Sequence, residues 1–121
     1  MEAYRKLKVW EKSHQLVLDI YKVTKQFPKE ELFGITSQLR RASVSIPNNI
    51  AEGCGRDSDR ELKRFLVIAN GSANEVEYLL YLSFSLGYID KEAHSKLESD
   101  TIEIMKMITS LKNKIKGDLK S

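Results

Sequence analysis

The stretch SDRELKRFLVIANGSANEVEYLLYLSFSLG, residues 58–87, decides the fold class, because its pattern predicts one long amphipathic helix. Ser58 and Glu61 have the spacing of a capping box, which satisfies free backbone N–H groups at a helix start. Apolar residues then recur at three- and four-residue intervals until Gly87, a suitable C-terminal cap. These apolar residues are Leu62, Phe65, Leu66, Ala69, Ala73, Val76, Leu80 and Phe84.

Small residues interrupt this stretch at its middle, where Gly71, Ser72 and Ala73 follow one another. A glycine inside a helix costs about 1 kcal/mol relative to alanine, so a long helix that keeps one needs a packing reason. We expect Gly71 to mark a point where another helix approaches closely.

The preceding segment predicts a second helix that begins at residue 35 or 36 and ends at residue 53 or 55. Pro47 lies inside it and removes a backbone hydrogen bond, at a cost of about 3 kcal/mol in an ordinary site. Two short helices broken near Ser45 are one alternative, and a single kinked helix is the other. We favour one helix kinked near Pro47, because the apolar stripe keeps its phase across the proline. The stripe is Ile35, Leu39, Ala42, Ile46 and Ile50.

Two further amphipathic segments flank this pair. The first runs from about Leu7 to Gln26 and stops at Pro28, because the residue before a proline is pushed out of helical geometry. The last is capped by Asp90 and ends at Gly117. Four helices with short connections predict an all-α fold, an antiparallel up-down-up-down four-helix bundle.

The composition is typical of a folded, highly charged soluble protein. The 121 residues suit one domain over 1–121, with an ordered core at about 7–115. Cys54 is the only cysteine, so an internal disulfide is excluded. The start of the chain lacks the apolar core of a signal peptide, and no run reaches the ~18 apolar residues of a bilayer span. We expect a cytoplasmic protein with no membrane partner.

Positive charge is concentrated in the first half of the chain, although the overall net charge is only +3. One interpretation is a surface that contacts nucleic-acid phosphates, which Lys8 and Lys12 would extend. The other is that these cations are ordinary solvated helix faces. The candidate phosphate-binding residues are Arg40, Arg41, Arg56, Arg60, Lys63 and Arg64.

The sequence offers no catalytic or metal-binding pattern. His14 and His94 are the only histidines, and they lie on different predicted helices without a second histidine at ligand spacing. Cys54 has no evident base beside it, so we interpret it as a packing residue. We therefore expect a protein that is not an enzyme and has no cofactor or metal.

Several predicted helices carry more apolar surface than one inner stripe uses. Beside the main stripe of the third helix lie Tyr78, Leu79 and Leu82, and the fourth helix adds Ile102 and Met105. Self-association would bury this surface. The alternative is that tyrosines snorkel at the rim of a wide core.

A polar cluster follows the proline of the second helix and consists of Asn48, Asn49 and Glu52. An arginine one to three turns earlier, Arg40 or Arg41, is placed to pair with Glu75 across the bundle. Such a pair would fix the register of two helices more than it would add stability.

The residues QLRRASVSIPNNIAEG, 38–53, resemble the signature of the bacterial four-helix bundle proteins, also called 23S ribosomal RNA intervening-sequence proteins. LKVW at 7–10, FP at 27–28 and LGYI at 86–89 are similar to the family as well, so the resemblance covers about residues 7–115. The residues that carry it as a structural motif are Pro47, Asn48, Asn49, Glu52, Gly53, Gly71 and Glu75.

The resemblance implies a four-helix bundle that assembles as a ring-like homopentamer. It also implies a relation to accessory proteins of reverse transcriptases in diversity-generating retroelements, in which a basic surface contacts nucleic acid. We expect a non-enzymatic homo-oligomer that binds RNA or DNA phosphates without sequence preference. The alternative is a protein-interaction scaffold with no nucleic-acid role, whose partner is another protein.

Overall fold

The computed structural model describes residues 3–115, and over that range the fold is all-α, with no strand. It confirms four long helices. They are α1, Lys8–Thr24; α2, Ser37–Cys54; α3, Asp59–Ser85; and α4, Lys91–Lys114. A 3₁₀ turn, Ala3–Lys6, precedes α1. The predicted end of the last helix at Gly117 lies outside the described residues.

Local caps begin α3 and α4, and end α3, where the sequence predicts them. The Ser58 hydroxyl accepts a hydrogen bond from the backbone N–H of Glu61 at 3.1 Å, which starts α3. The chain leaves α3 through Gly87, whose φ of 80° is the left-handed conformation that glycine adopts without cost. Asp90 then accepts from the N–H of Ala93 at 2.8 Å and starts α4.

The connection between α1 and α2 contains two short helical segments, a 3₁₀ turn at Lys29–Glu31 and a π turn at Leu32–Thr36. The Tyr88 hydroxyl donates a hydrogen bond to Glu31 Oε2 at 2.9 Å, and the rings of Phe27 and Tyr88 lie 5.3 Å apart. The α1–α2 connection is therefore fastened to the turn between α3 and α4.

α2 runs through Pro47 without a break, so the alternative of two short helices is wrong. Asn49 donates from its side-chain amide to the Ser45 carbonyl at 2.8 Å and lies 3.0 Å from the Ser45 hydroxyl. That hydroxyl is in turn 2.8 Å from the Ser72 hydroxyl. A chain of polar side chains beside the proline thus ties α2 to α3.

Each helix packs against its neighbours in sequence, and α1 also packs against α4. α1 and α3 therefore occupy opposite corners of the bundle. The core between the helices consists of branched aliphatic side chains, each of which contributes about 1.5–3 kcal/mol when fully buried. The largest fully buried apolar residues are Leu16, Ile20, Leu39, Ile46, Ile50, Leu66, Leu80, Ile104 and Ile108.

The point of close helix approach lies at Gly53 rather than at Gly71. A Cβ built at Gly53 would lie 2.9 Å from atoms of both Leu62 and Phe65, so α2 meets the start of α3 there. A Cβ built at Gly71 would meet nothing within 4 Å, and this residue is exposed. Within the protomer, the expected close approach at Gly71 is wrong, because its side of α3 faces outward.

Candidate nucleic-acid interface

Phe65, in the second turn of α3, organises two of the predicted arginines. The Cζ atoms of Arg56 and Arg64 lie 5.0 and 4.7 Å from the centre of its ring. At exposed sites such cation–π contacts stabilise by about 0.5–1 kcal/mol each. Each guanidinium is also paired with a carboxylate: Arg56 with Glu52 at 3.5 Å, and Arg64 with Glu61 at 3.2 Å. Both arginines are thus held in place, and part of their charge is compensated.

A groove of about 590 Å³ lies beside these arginines, between the start of α3 and the end of α4. We call it the basic groove. Four cations and one carboxylate line it, together with Val67 and Asn113. The charged lining residues are Arg60, Lys63, Arg64, Lys112 and Glu61. In the part of the chain that the structure describes, Arg60, Lys63 and Lys112 have no carboxylate within 4 Å. The groove therefore has a positive excess.

Lys63 has an unusual environment for a lysine, since only 8% of its surface is exposed. Lysine is among the residues least often buried without an ionic partner. Its aliphatic stem packs against the bundle, as long cationic side chains often do. An anion in the basic groove would supply the charge partner that Lys63 lacks in the described range.

Arg40 has a different, structural position. Its Nε donates to the Thr24 hydroxyl at 2.8 Å, and its Cζ lies 4.7 Å from the centre of the Tyr21 ring. Arg40 therefore links α2 to α1. Neither it nor Arg41 forms the expected pair with Glu75, which is exposed and has no cation within 4 Å among residues 3–115.

Arg41 is exposed and lies far from the basic groove. It is in the second turn of α2, whereas Arg56 follows the end of that helix. At 1.5 Å per residue the two are roughly 22 Å apart along the axis. The structure thus brings together Arg56, Arg60, Lys63 and Arg64, and leaves Arg40 and Arg41 elsewhere.

The two lysines expected to extend the basic surface behave differently. Lys12 Nζ lies 3.2 Å from Glu103 and 3.9 Å from Asp100, so its charge is used to join α1 to α4. Lys8 is exposed and lines a small depression with Lys114, at the end of α4.

The sequence analysis missed the lysines at the end of α4, Lys112 and Lys114, because it sought the basic surface only in the first half of the chain, where positive charge is concentrated. A local signal was present, since cations are favoured in the last turn of a helix, where the carbonyl ends are partly negative. Their position beside α3 depends on how the helices pack.

The remaining structural motif residues do not line this groove. Asn48, like Gly71 and Glu75, is exposed, whereas Pro47 is buried inside α2. Asn49 and Gly53 serve the α2–α3 contact, and Glu52 pairs with Arg56. These residues shape the bundle around the groove.

A titratable cluster lies between α3 and α4, away from the basic groove. His94 is buried and stacks on Phe84 with ring centres 4.7 Å apart. Its Nε2 has no hydrogen-bond partner among the described residues and lies 4.0 Å from Glu98 Oε2. Burial, and secondarily a hydrogen bond to Glu98, raise the pKa of Glu77. Among residues 3–115, no three His, Cys, Asp or Glu side chains converge on a metal position.

Cys54 is half-buried at the end of α2, and burial raises the pKa of its thiol. The thiolate, which is the nucleophilic form, is therefore disfavoured at neutral pH. Nothing in this arrangement indicates catalysis. None of the described helices is long and apolar enough to cross a membrane.

The comparisons with known proteins agree with the architecture. Residues 5–110 match the family model described as 23S rRNA-intervening sequence protein. A crystal structure of a protein with unknown function from the S23 ribosomal protein family of Bacteroides thetaiotaomicron is similar to the chain. It is 30% identical, with a TM-score of 0.80, over 86% of this chain and 97% of that one. No curated protein matches the chain.

Proposed function

The chain belongs to the 23S rRNA-intervening sequence protein family, and from that premise we propose that its basic groove binds the phosphates of RNA or DNA. In this proposal the protein is a cytoplasmic, non-enzymatic homo-oligomer. Binding is independent of base sequence, because lysine and arginine contacts to phosphates carry no sequence information by themselves.

The observation that carries the proposal is the convergence of Arg60, Lys63 and Lys112 in one groove without carboxylate partners within 4 Å in the described range. Cations of this kind gain from phosphates, because each contact releases a condensed counterion from the nucleic acid. Arg64 contributes less to phosphate binding, since its guanidinium is already paired with the carboxylate of Glu61.

We infer that the four helices run antiparallel, up-down-up-down, with α2 kinked at Pro47. Contacts between the ends of successive helices support this topology. Arg40 near the start of α2 reaches Thr24 at the end of α1, and Gly53 near the end of α2 meets Leu62 near the start of α3. In this order the end of α4 lies beside the start of α3, which places Lys112 in the groove.

The proposed assembly is a homopentameric ring, as the family resemblance implies. Large apolar side chains exposed on the protomer support self-association, because a soluble monomer rarely leaves a large contiguous apolar patch in water. A ring presents several copies of one weak groove, and multivalency raises overall affinity without any new type of contact.

The test is fluorescence anisotropy of the purified protein with a structured RNA and with duplex DNA. We expect affinity to fall by orders of magnitude between about 50 and 200 mM salt, as in proteins that make many phosphate contacts. The double variant Arg60→Ala/Lys112→Ala should weaken binding and lower the salt dependence. Lys29→Ala/Lys91→Ala removes the same charge from exposed positions elsewhere and should bind like the wild type. Equal affinity of all three proteins would contradict the assignment.

A second function, a protein-interaction scaffold, is favoured by a separate observation. In the α1–α2 connection Phe33 is 93% exposed, and Leu32 and Leu86 are exposed beside the Glu31–Tyr88 hydrogen bond. Exposed aromatic side chains are frequent anchors of protein interfaces. A partner bound here would show affinity that depends on Phe33 and changes little with salt.

A further inference from the structure

We propose that the outward face of α3 binds α1 of a second copy of this chain, with the two helices running in the same direction. This inference rests on the proposed self-assembly and assigns the surface that makes it. It concerns residues that the protomer leaves uncovered.

The outward face of α3 has the spacing of a helix-packing seam. Val67, Gly71, Asn74, Tyr78 and Tyr81 follow one another four, three, four and three residues apart, as at the a and d positions of a coiled coil. Within the protomer this seam stays in water: Val67, Tyr78 and Tyr81 are 54%, 56% and 54% exposed.

Gly71 gives the seam its shape. It costs α3 about 1 kcal/mol relative to alanine, and nothing in the protomer explains that cost, because a Cβ there would meet no atom within 4 Å. A glycine on an exposed seam leaves a shallow hollow between larger residues. A side chain from another copy would fill this hollow.

The outward face of α1 has four positions with the same spacing as four positions on the outward face of α3, two of which, Gly71 and Tyr78, belong to the seam. Glu11, Leu18 and Lys22 are exposed on one side of α1, and the exposed Lys25 follows directly after the helix, with steps of seven, four and three residues. On α3 the same steps separate Arg64, Gly71, Glu75 and Tyr78, which also share one side of the helix. When the two helices are aligned in parallel, Glu75 opposes Lys22 with opposite charge, and Glu11 opposes Arg64, which pairs with Glu61 within the protomer.

The same alignment pairs the remaining positions by shape and chemistry. Leu18 falls opposite Gly71, as a knob opposite a hollow, and Lys25 falls opposite the ring of Tyr78. Glu11, Lys22, Lys25 and Glu75 have no ion-pair partner within 4 Å in the described range. The pairing between copies therefore does not compete with ion pairs of the protomer at these four positions.

The bundle presents these two faces as a ring requires. α1 and α3 lie at opposite corners, and in the up-down-up-down order they run in the same direction. A rotation about an axis parallel to the bundle keeps every helix direction, so neighbouring copies meet through parallel α3 and α1. Such a head-to-tail contact uses two different faces and generates a closed ring when the rotation closes.

The test is a charge swap read by sedimentation velocity and light scattering at micromolar concentration. Glu75→Lys and Lys22→Glu should each shift the wild-type assembly toward the 13.9 kDa monomer, and the double variant Glu75→Lys/Lys22→Glu should restore the assembly. Glu30→Lys/Lys91→Glu changes the same charges at exposed positions outside both faces and should leave the mass unchanged. Circular dichroism checks that every variant is folded.

A wild-type chain that stays monomeric, or single variants that keep the wild-type mass, would overturn the inference. So would a double variant that stays dissociated. Failure of the proposed function is a separate result, because a ring that assembles through these faces but binds neither RNA nor DNA rejects only the role of the basic groove.

Discussion

The Nε of Arg40 donates a hydrogen bond of 2.8 Å to the hydroxyl of Thr24, sixteen residues earlier in the chain. The Thr24 hydroxyl itself donates to the carbonyl of Ile20 at 2.7 Å, and the Arg40 guanidinium lies over Tyr21. One arginine thus joins the start of α2 to the end of α1. The Arg40 side chain therefore has a structural role at this junction of two helices.

Replacing Arg40 with alanine should therefore destabilise the protein by about 1–3 kcal/mol, because the charged hydrogen bond and the contact with Tyr21 are both lost. Arg41→Ala is the matched control, since Arg41 is exposed and should change stability by less than about 0.5 kcal/mol. Urea denaturation measures both. Equal effects of the two substitutions would show that the contacts of Arg40 with Thr24 and Tyr21 contribute nothing to stability.

The Tyr88–Glu31 hydrogen bond predicts a pH dependence at the alkaline end. This bond, and secondarily burial, raise the pKa of the Tyr88 hydroxyl above its ordinary value of 10.0. The folded state thus holds the phenolic proton more tightly than the unfolded state. The stabilisation is present in full below pH 10 and is lost as the pH rises through the raised pKa.

Thermal unfolding followed from pH 8 to pH 11 measures this effect. Tyr88→Phe should lower the melting temperature at pH 8 and should lose stability less steeply than the wild type as the pH rises. A wild-type slope that Tyr88→Phe leaves unchanged would place the alkaline titration in another group. Glu31→Gln keeps a hydrogen-bond acceptor but removes the charge, so it should lower the Tyr88 pKa seen by ultraviolet titration.

The sequence predicts a feature correctly when the residues that determine it lie close together in the chain. The start of α3 at Ser58 and the turn at Gly87 depend on residues within one helical turn, and the structure places both where the pattern predicts. The hydrogen bond of Arg40 to Thr24 depends on how two helices pack, and spacing along one helix carries no information about it. The same holds for Lys112, which enters the basic groove only because α4 ends beside the start of α3.

Gly71 shows a limit of predicting helix packing from local sequence. The sequence predicts that a glycine in a long helix marks a close approach, and the protomer has that approach at Gly53 instead. Nothing among the described residues gives Gly71 a packing reason, and the proposed contact between copies would supply one.

The environment of Glu77 predicts that replacing its carboxyl group stabilises the protein at neutral pH. Burial, and then the hydrogen bond and the charge of Glu98, raise the Glu77 pKa above its usual value, although His94 opposes the shift. Because the folded state holds the Glu77 proton more tightly than the unfolded state, the protonated carboxyl favours folding. This contribution to stability is present in full below the pKa of the unfolded state and is lost as the pH rises through the raised pKa of the folded state. At pH 7, therefore, the ionised carboxylate is a net cost.

Glu77→Gln should raise the melting temperature at pH 7 by on the order of 1–2 °C, a small effect because Glu77 is only partly buried and solvent screens its charge. The gain should disappear near pH 4, where the wild-type carboxyl is protonated. Glu30→Gln, at an exposed position outside both proposed faces, is the control and should show no such pH-dependent gain. A gain of equal size at pH 4 and pH 7 would exclude protonation as the cause.

The two helical glycines, Gly53 and Gly71, make opposite predictions for the same substitution. In Gly53→Ala the new methyl group would lie 2.9 Å from Leu62 Cδ1 and from Phe65 Cβ, so α2 and α3 must move apart. Overpacking of this kind costs about 1–3 kcal/mol. In Gly71→Ala the methyl group meets nothing within 4 Å, and the helix gains up to about 1 kcal/mol from the better helix former.

Guanidinium denaturation at equal protein concentration should therefore place Gly53→Ala below the wild type in the free energy of unfolding. Gly71→Ala should raise the stability of the monomer and, because the methyl group fills the hollow at the proposed contact between copies, weaken the assembly. Sedimentation velocity on this variant separates the two effects. A Gly53→Ala protein as stable as the wild type would show that the α2–α3 contact adjusts to an added methyl group.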